Sequence, residues 1–120
     1  MDSNRINRAL QPMLAVVLLA LTSPAAAEIR TVQLAHEVAL ADLRLPQSDA
    51  GTIGFKPCNE CDYQTERVSA ETRWSLNGRT VSLDDFRLGL ARVTERNSVY
   101  VTVLCHLQEN RVTEVSVYLP

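Results

Sequence analysis

The chain has 120 residues, 46% of them hydrophobic and 22% charged, with a formal net charge of −2 at pH 7. Its length fits one domain, and apolar residues spread along the chain exclude general disorder. No run of Lys and Arg is present, so the sequence shows no electrostatic footprint for nucleic acid or an anionic membrane surface.

The N-terminal stretch has the order of a secretory signal. Arg5 and Arg8 precede an uninterrupted apolar run, Met13–Leu21, followed by Thr22-Ser-Pro24 and the small residues Ala25-Ala-Ala27. This pattern predicts a Sec-type signal peptide over residues 1–27, cleaved after Ala27, and one mature domain over 28–120. The apolar run is shorter than the roughly 20 residues that span a bilayer. The two arginines are not adjacent, as a twin-arginine signal would need, and no Cys follows the run to accept a lipid. The expected location is the periplasm or the exterior, where disulfides persist.

Residues 28–46 read as two short strands meeting at a bulge near Ala41-Asp42, or as part helix, because Val38 and Leu40 alternate in one phase and Leu43 and Leu45 in the other. Pro46–Gly51 is a loop by composition. Thr52–Lys56 is a short strand with Ile53 and Phe55 on one face, and Pro57–Thr65 is a loop holding Cys58 and Cys61. From Arg67 to Leu76 apolar and polar residues alternate, with Val68, Ala70, Thr72, Trp74 and Leu76 on one parity, which predicts a half-buried strand. Asn77-Gly78 is a type I′ hairpin turn, since both positions need positive φ. It sets Leu76 opposite Arg79 and Trp74 opposite Val81. Ser82 and Asp85 form a capping-box pattern flanked by Val81 and Phe86 as a staple. Leu83, Phe86, Leu90 and Val93 then recur at helical spacing, up to an expected end near Thr94–Asn97.

The C-terminal third predicts a second hairpin. Val99, Val101, Val103, Cys105 and Leu107 alternate with Tyr100, Thr102, Leu104 and His106, and Thr113, Val115, Val117 and Leu119 with Val112, Glu114, Ser116 and Tyr118. A three-residue loop, Gln108-Glu-Asn110 with Asn110 left-handed, keeps one face apolar. It pairs Val103 with Val115, Val101 with Val117 and Cys105 with Thr113, and it sets Tyr100 beside Tyr118 on the other face. The resulting expectation is an α+β domain: a small antiparallel sheet of four to five strands with one helix on its apolar face, in the order β, β-hairpin, α, β-hairpin.

Cys58-Asn-Glu-Cys61 is the motif with chemical potential, and three readings compete. A redox pair needs its first Cys at a helix N-terminus, but loop and strand follow here, with Glu60 and Asp62 opposing a thiolate. A metal site would need Cys105 with His106 or His36 as further ligands, but strand neighbours Cys105 and His106 point to opposite faces. A short disulfide pinning the loop fits best in an oxidising compartment, and it leaves Cys105 as a buried free thiol. A bridge from Cys105 to one of the pair stays open. Asp84 and Asp85 are explained by helix capping, and neither His adjoins a nucleophile. Tyr100 and Tyr118 form a candidate interaction patch or an ordinary cross-strand pair.

Phe55-x-x-Cys58-x-x-Cys61, Thr72-Arg-Trp74, Asn77-Gly-Arg-Thr-Val-Ser-Leu83 and the final valine-rich strands resemble a group of small uncharacterised periplasmic proteins of Gram-negative bacteria. The resemblance covers about Gly51 to the end and implies export and fold only. That group often has an aromatic residue where this chain has Cys105, which favours packing over ligation there. The sequence thus points to a non-enzymatic envelope protein without cofactor or metal. It would bind a ligand or another envelope protein, for example through an open sheet edge. The alternative is thiol–disulfide or metal-handling chemistry at Cys58 and Cys61.

Overall fold

A computed structural model describes residues 32–120; the expected signal peptide and its cleavage site lie outside the described residues. Within them the chain forms β1 (Gln33–Ala39), β2 (Leu43–Arg44), β3 (Thr52–Phe55), β4 (Gln64–Arg67), β5 (Arg73–Leu76), β6 (Arg79–Val81), α1 (Leu83–Ala91), β7 (Tyr100–His106) and β8 (Arg111–Val117). The eight strands belong to one mixed sheet. The expected α+β fold with a four-to-five-strand antiparallel sheet is therefore corrected to a mostly β fold with one helix. The helix at 83–91 has nine residues and covers only part of a sheet that does most of its own burying.

A kink in the first strand explains the change of phase seen in the sequence. Leu40–Asp42 form a single 3-10 turn between β1 and β2. The Leu40 amide donates to the Val99 carbonyl at 2.8 Å and the Ala41 amide to the Arg96 carbonyl at 3.2 Å. The turn lets Val38 and Leu40 point inward before it and Leu43 point inward after it; all three are buried.

The strand order is β1-β7-β8-β4-β3-β2. Its first and last strands are consecutive in the chain and joined by three residues, so the sheet must roll until its ends meet. The rings of His36 on β1 and Phe55 on β3 accordingly stand 5.1 Å apart. The bent β1–β2 strand, β3 and β4 form a meander, and β7 returns by a long connection to lie beside β1, which is Greek-key order. β8 fills the gap between β7 and β4, giving a small Greek-key barrel. Its interior holds Ile53, Phe55, Val101, Val103, Val112 and Val115, all fully buried.

The outer edge of β8 is shared between two strands. Arg67 of β4 pairs with Arg111, and Arg73–Leu76 of β5 pair with Glu114–Val117, both in parallel. The continuous strand expected over 67–76 is thus broken by a turn at Ser69–Thr72. Buried Thr72 makes the break: its hydroxyl donates to the Val112 carbonyl at 2.7 Å and accepts from the Ser69 amide at 3.0 Å. Ala70, placed by alternation on the inner face, is exposed.

The Asn77-Gly78 turn has the expected positive φ angles, 51° and 83°, and Leu76↔Arg79 and Trp74↔Val81 are in register. Ser82 caps α1 by accepting from the Asp85 amide at 3.1 Å. Phe86 packs on Trp74 with ring centroids 5.3 Å apart. The helix ends at Ala91, earlier than its apolar spacing suggests, because Arg96 folds back and donates to the Leu90 carbonyl at 3.0 Å.

In the last hairpin Val101↔Val117 and Val103↔Val115 are paired as expected, but a bulge at Leu104/Cys105 sets Cys105 opposite Val112 rather than Thr113. His106↔Arg111 then closes a loop one residue longer than expected. The bulge turns Val112 fully inward and leaves Leu107 exposed. Thr113 becomes the extra residue, and its hydroxyl donates to the Leu104 carbonyl at 3.2 Å. Asn110 keeps the left-handed conformation, φ 50°.

Thr72→Val keeps the shape but leaves the Ser69 amide and Val112 carbonyl without their partner. The expected loss is about 2 kcal/mol, the scale for stranded buried polar groups, read as a lower urea midpoint at unchanged m-value. An unchanged midpoint would show that the turn does not depend on this hydroxyl.

Candidate functional site

The cysteines separate into two environments. Cys58 and Cys61 lie in the β3–β4 loop with their sulfurs at disulfide distance and Cα atoms 5.0 Å apart. The Cys61 amide donates to the Cys58 carbonyl at 3.1 Å, which closes the loop as a turn. α1 begins only at Leu83, so among the described residues no helix starts at Cys58, the placement that a redox-active pair uses. Cys105 is apart from them, buried and free. Burial, and then the inward-facing Glu66 carboxylate, push its thiol up to about 11, the opposite of an activated nucleophile.

Both histidines have local roles. His36 packs on Phe55, and His106 Nδ1 accepts from the Glu109 amide at 3.2 Å in the β7–β8 loop. Among the described residues no group of three or more His, Cys, Asp or Glu side chains is placed to hold a metal ion. No described helix is long and apolar enough to cross a membrane.

The tyrosines expected to form a patch sit on one open groove. Tyr100 is 60% exposed and Tyr118 76% exposed. With Leu76, Val93, Val99 and Leu119 they line a groove of about 870 Å³ between the end of α1 and the last strands. Its floor is held in place: Asn77 Oδ1 accepts from the Leu119 amide at 2.7 Å, and the Asn77 amide donates to the Val117 carbonyl at 2.9 Å. The tyrosine adjacency follows from strand register, whereas the groove depends on where α1 stops.

A second surface is not visible in the sequence at all. On the outer face of β2–β3–β4, Arg44 is opposite Gly54 and Gly54 opposite Thr65, with Thr52 and Arg67 in the next row. Beyond the opposite end of that ladder Lys56 and Tyr63 follow. The Arg44 guanidinium carbon lies 4.1 Å from the Tyr63 ring centroid and the Lys56 ammonium 5.2 Å from it, both within cation–π range. Arg44 lies across Gly54, where a Cβ would be in ordinary contact, 3.5 Å from Arg44 Cβ and 3.8 Å from Arg44 Cδ.

The polar depression on β5, β7 and β8 has a different charge balance. There Arg111 pairs with Glu71 at 3.3 Å and with Glu109, and Arg73 pairs with Glu114 at 3.8 Å. Each cation is matched by a carboxylate. Compared with known proteins, the chain matches no protein family, no curated protein and no solved structure.

The Cys105 thiol links stability to alkaline pH. Its folded pKa is raised from 9.0 to about 11, so the stabilisation tied to the neutral thiol is complete below 9.0 and is lost as pH rises through about 11. The titratable group that acts on it is Glu66. The stability difference between wild type and Cys105→Ala should therefore shrink over that window in urea titrations; a difference constant with pH would contradict a buried neutral thiol.

Proposed function

We propose that this chain is an exported, non-enzymatic binding protein of the cell envelope. On this reading it recognises an extended, apolar segment of another envelope protein in the groove beside Tyr100 and Tyr118. The order of features in residues 1–27 supports export. The observation that carries the binding reading is the groove itself: open, apolar in its walls, and bordered by two largely exposed tyrosines. Tyrosine supplies a large contact area at low conformational cost and is enriched among residues that dominate binding energy. The open shape suits a chain segment lying along it rather than an enclosed small molecule. Arg92 and Glu95 at the rim add one charge of each sign, enough to orient a segment without selecting for net charge.

The expected behaviour of Tyr100→Ser/Tyr118→Ser follows. Both side chains are largely exposed, so the melting temperature should stay within a few degrees of wild type. Capture of an envelope partner at native abundance should fall by about thirtyfold or more if each tyrosine contributes about 1 kcal/mol or more. Equal capture by the variant and the wild type would remove the groove from recognition.

A further inference from the structure

We infer that the outer face of β2–β3–β4 is a binding site for a multiply charged oxyanion of the phosphate-ester class, held by Arg44 and Lys56 beside Tyr63. The site shares no residue with the tyrosine groove and does not depend on that reading.

The argument starts from charge balance. The described ion pairs satisfy Arg73 and Arg111 and include neither Arg44, Lys56 nor Arg67. Arg44 and Lys56 nonetheless converge on one ring, at 4.1 and 5.2 Å from its centroid. An aromatic quadrupole holds a cation near its face without neutralising it. Two like charges are therefore gathered where none of the described ion pairs supplies a carboxylate, and an incoming anion lowers the energy of both.

The residue types narrow the ligand. A guanidinium presents a rigid fork of donors, and an ammonium is a compact point charge. One arginine alone can satisfy a planar carboxylate by two parallel bonds. A fork and a point charge side by side suit a tetrahedral group with three exposed oxygens and more than one negative charge. The same face adds the hydroxyl of Thr65 in the Arg44–Gly54 row, then Thr52 and Arg67 in the next. Gly54, buried at the centre beneath Arg44, adds no side chain of its own to the face. Tyr63 is 38% exposed, which leaves part of its ring for the ligand.

The test is an amide NMR titration of the full chain with inorganic phosphate at pH 7, with ionic strength held constant by sodium chloride. The expected result is saturable shifts centred on Gly54, Tyr63 and Thr65. Affinity should fall at least about tenfold in Arg44→Gln and in Lys56→Gln, the effect of losing a hydrogen bond to a charged group. Arg73→Gln, on the ion-paired face, should bind as wild type. Tyr63→Leu should also weaken binding while the spectrum stays folded, because the ring no longer gathers the two cations. Glucose 6-phosphate and phosphatidylglycerol vesicles are parallel probes: tighter binding of the first assigns the site to soluble phosphate esters, and of the second to lipid headgroups. Shifts that never saturate, that chloride alone reproduces, or that persist in Arg44→Gln/Lys56→Gln would overturn the proposal.

Discussion

The Leu40–Asp42 kink is the constraint on which the rest of the molecule depends. Two backbone hydrogen bonds, from Leu40 to Val99 and from Ala41 to Arg96, anchor it to the segment after α1. The kink lets one strand pair with β7 at one end of the sheet and with β3 at the other. A sheet whose two ends are the same strand has to roll up, and rolling encloses its apolar face. It also removes most of its free edge, since barrels hide the unpaired backbone that an open sheet presents. The end of the branch is β6, only three residues long. An open edge is therefore a poor place to recruit a partner strand here. Recognition moves to the walls of the barrel and to the groove where α1 meets the last strands.

Much of the local structure was legible because local chemistry decides it. Asn77-Gly78, the Ser82 cap and the alternating valines of β7 and β8 are each specified by residues within one turn or one strand pair. The errors lie where a hydroxyl competes with a regular ladder. Ser69, Ala70, Glu71 and Thr72 alternate like strand residues, yet the Thr72 hydroxyl satisfies the Val112 carbonyl from across the sheet. Thr113 acts in the same way at the bulge by bonding Leu104. In both places a threonine, buried at 72 and partly buried at 113, donates to a carbonyl that regular pairing would have to satisfy otherwise. Period-two alternation contains no trace of that exchange. The parallel pairing of β5 with β8 was equally hidden, because it joins segments separated by a hairpin and a helix. Those added pairings changed the fold class, although the single helix was placed within a few residues.

The surfaces differ in legibility for the same reason. Tyr100 and Tyr118 meet because hairpin register places them together, and register follows from the valine pattern. Arg44 and Arg67 come from two strands, and Lys56 and Tyr63 from the loop between β3 and β4. They meet only after the kink delivers β2 to the edge of β3. No window of the sequence is basic, so charge patterning along the chain cannot reveal the face. Gly54 is equally silent in the sequence, a small residue between two core residues, and only the pairing of β2 with β3 sets Arg44 across it.

The contrast between the two polar faces bears on why the basic one is arranged as it is. Exposed arginines and lysines usually keep their rotamer freedom, and fixing one costs up to about 2 kcal/mol of side-chain entropy. A single exposed cation–π contact returns about 0.5–1 kcal/mol, so ordering two long cations on one ring is close to neutral at best. On the face of β5, β7 and β8, ion pairs with Glu71 and Glu114 supply a compensating term. On the β2–β3–β4 face none of the described ion pairs does. What the Tyr63 stack does provide is order before any ligand arrives. A ligand that meets two cations already placed loses less in organising them, and preorganisation of this kind strengthens binding without adding a contact. Stability alone would favour a carboxylate beside Arg44 or Lys56; a pre-ordered pair of cations outside the described ion pairs is the arrangement that binding an anion favours.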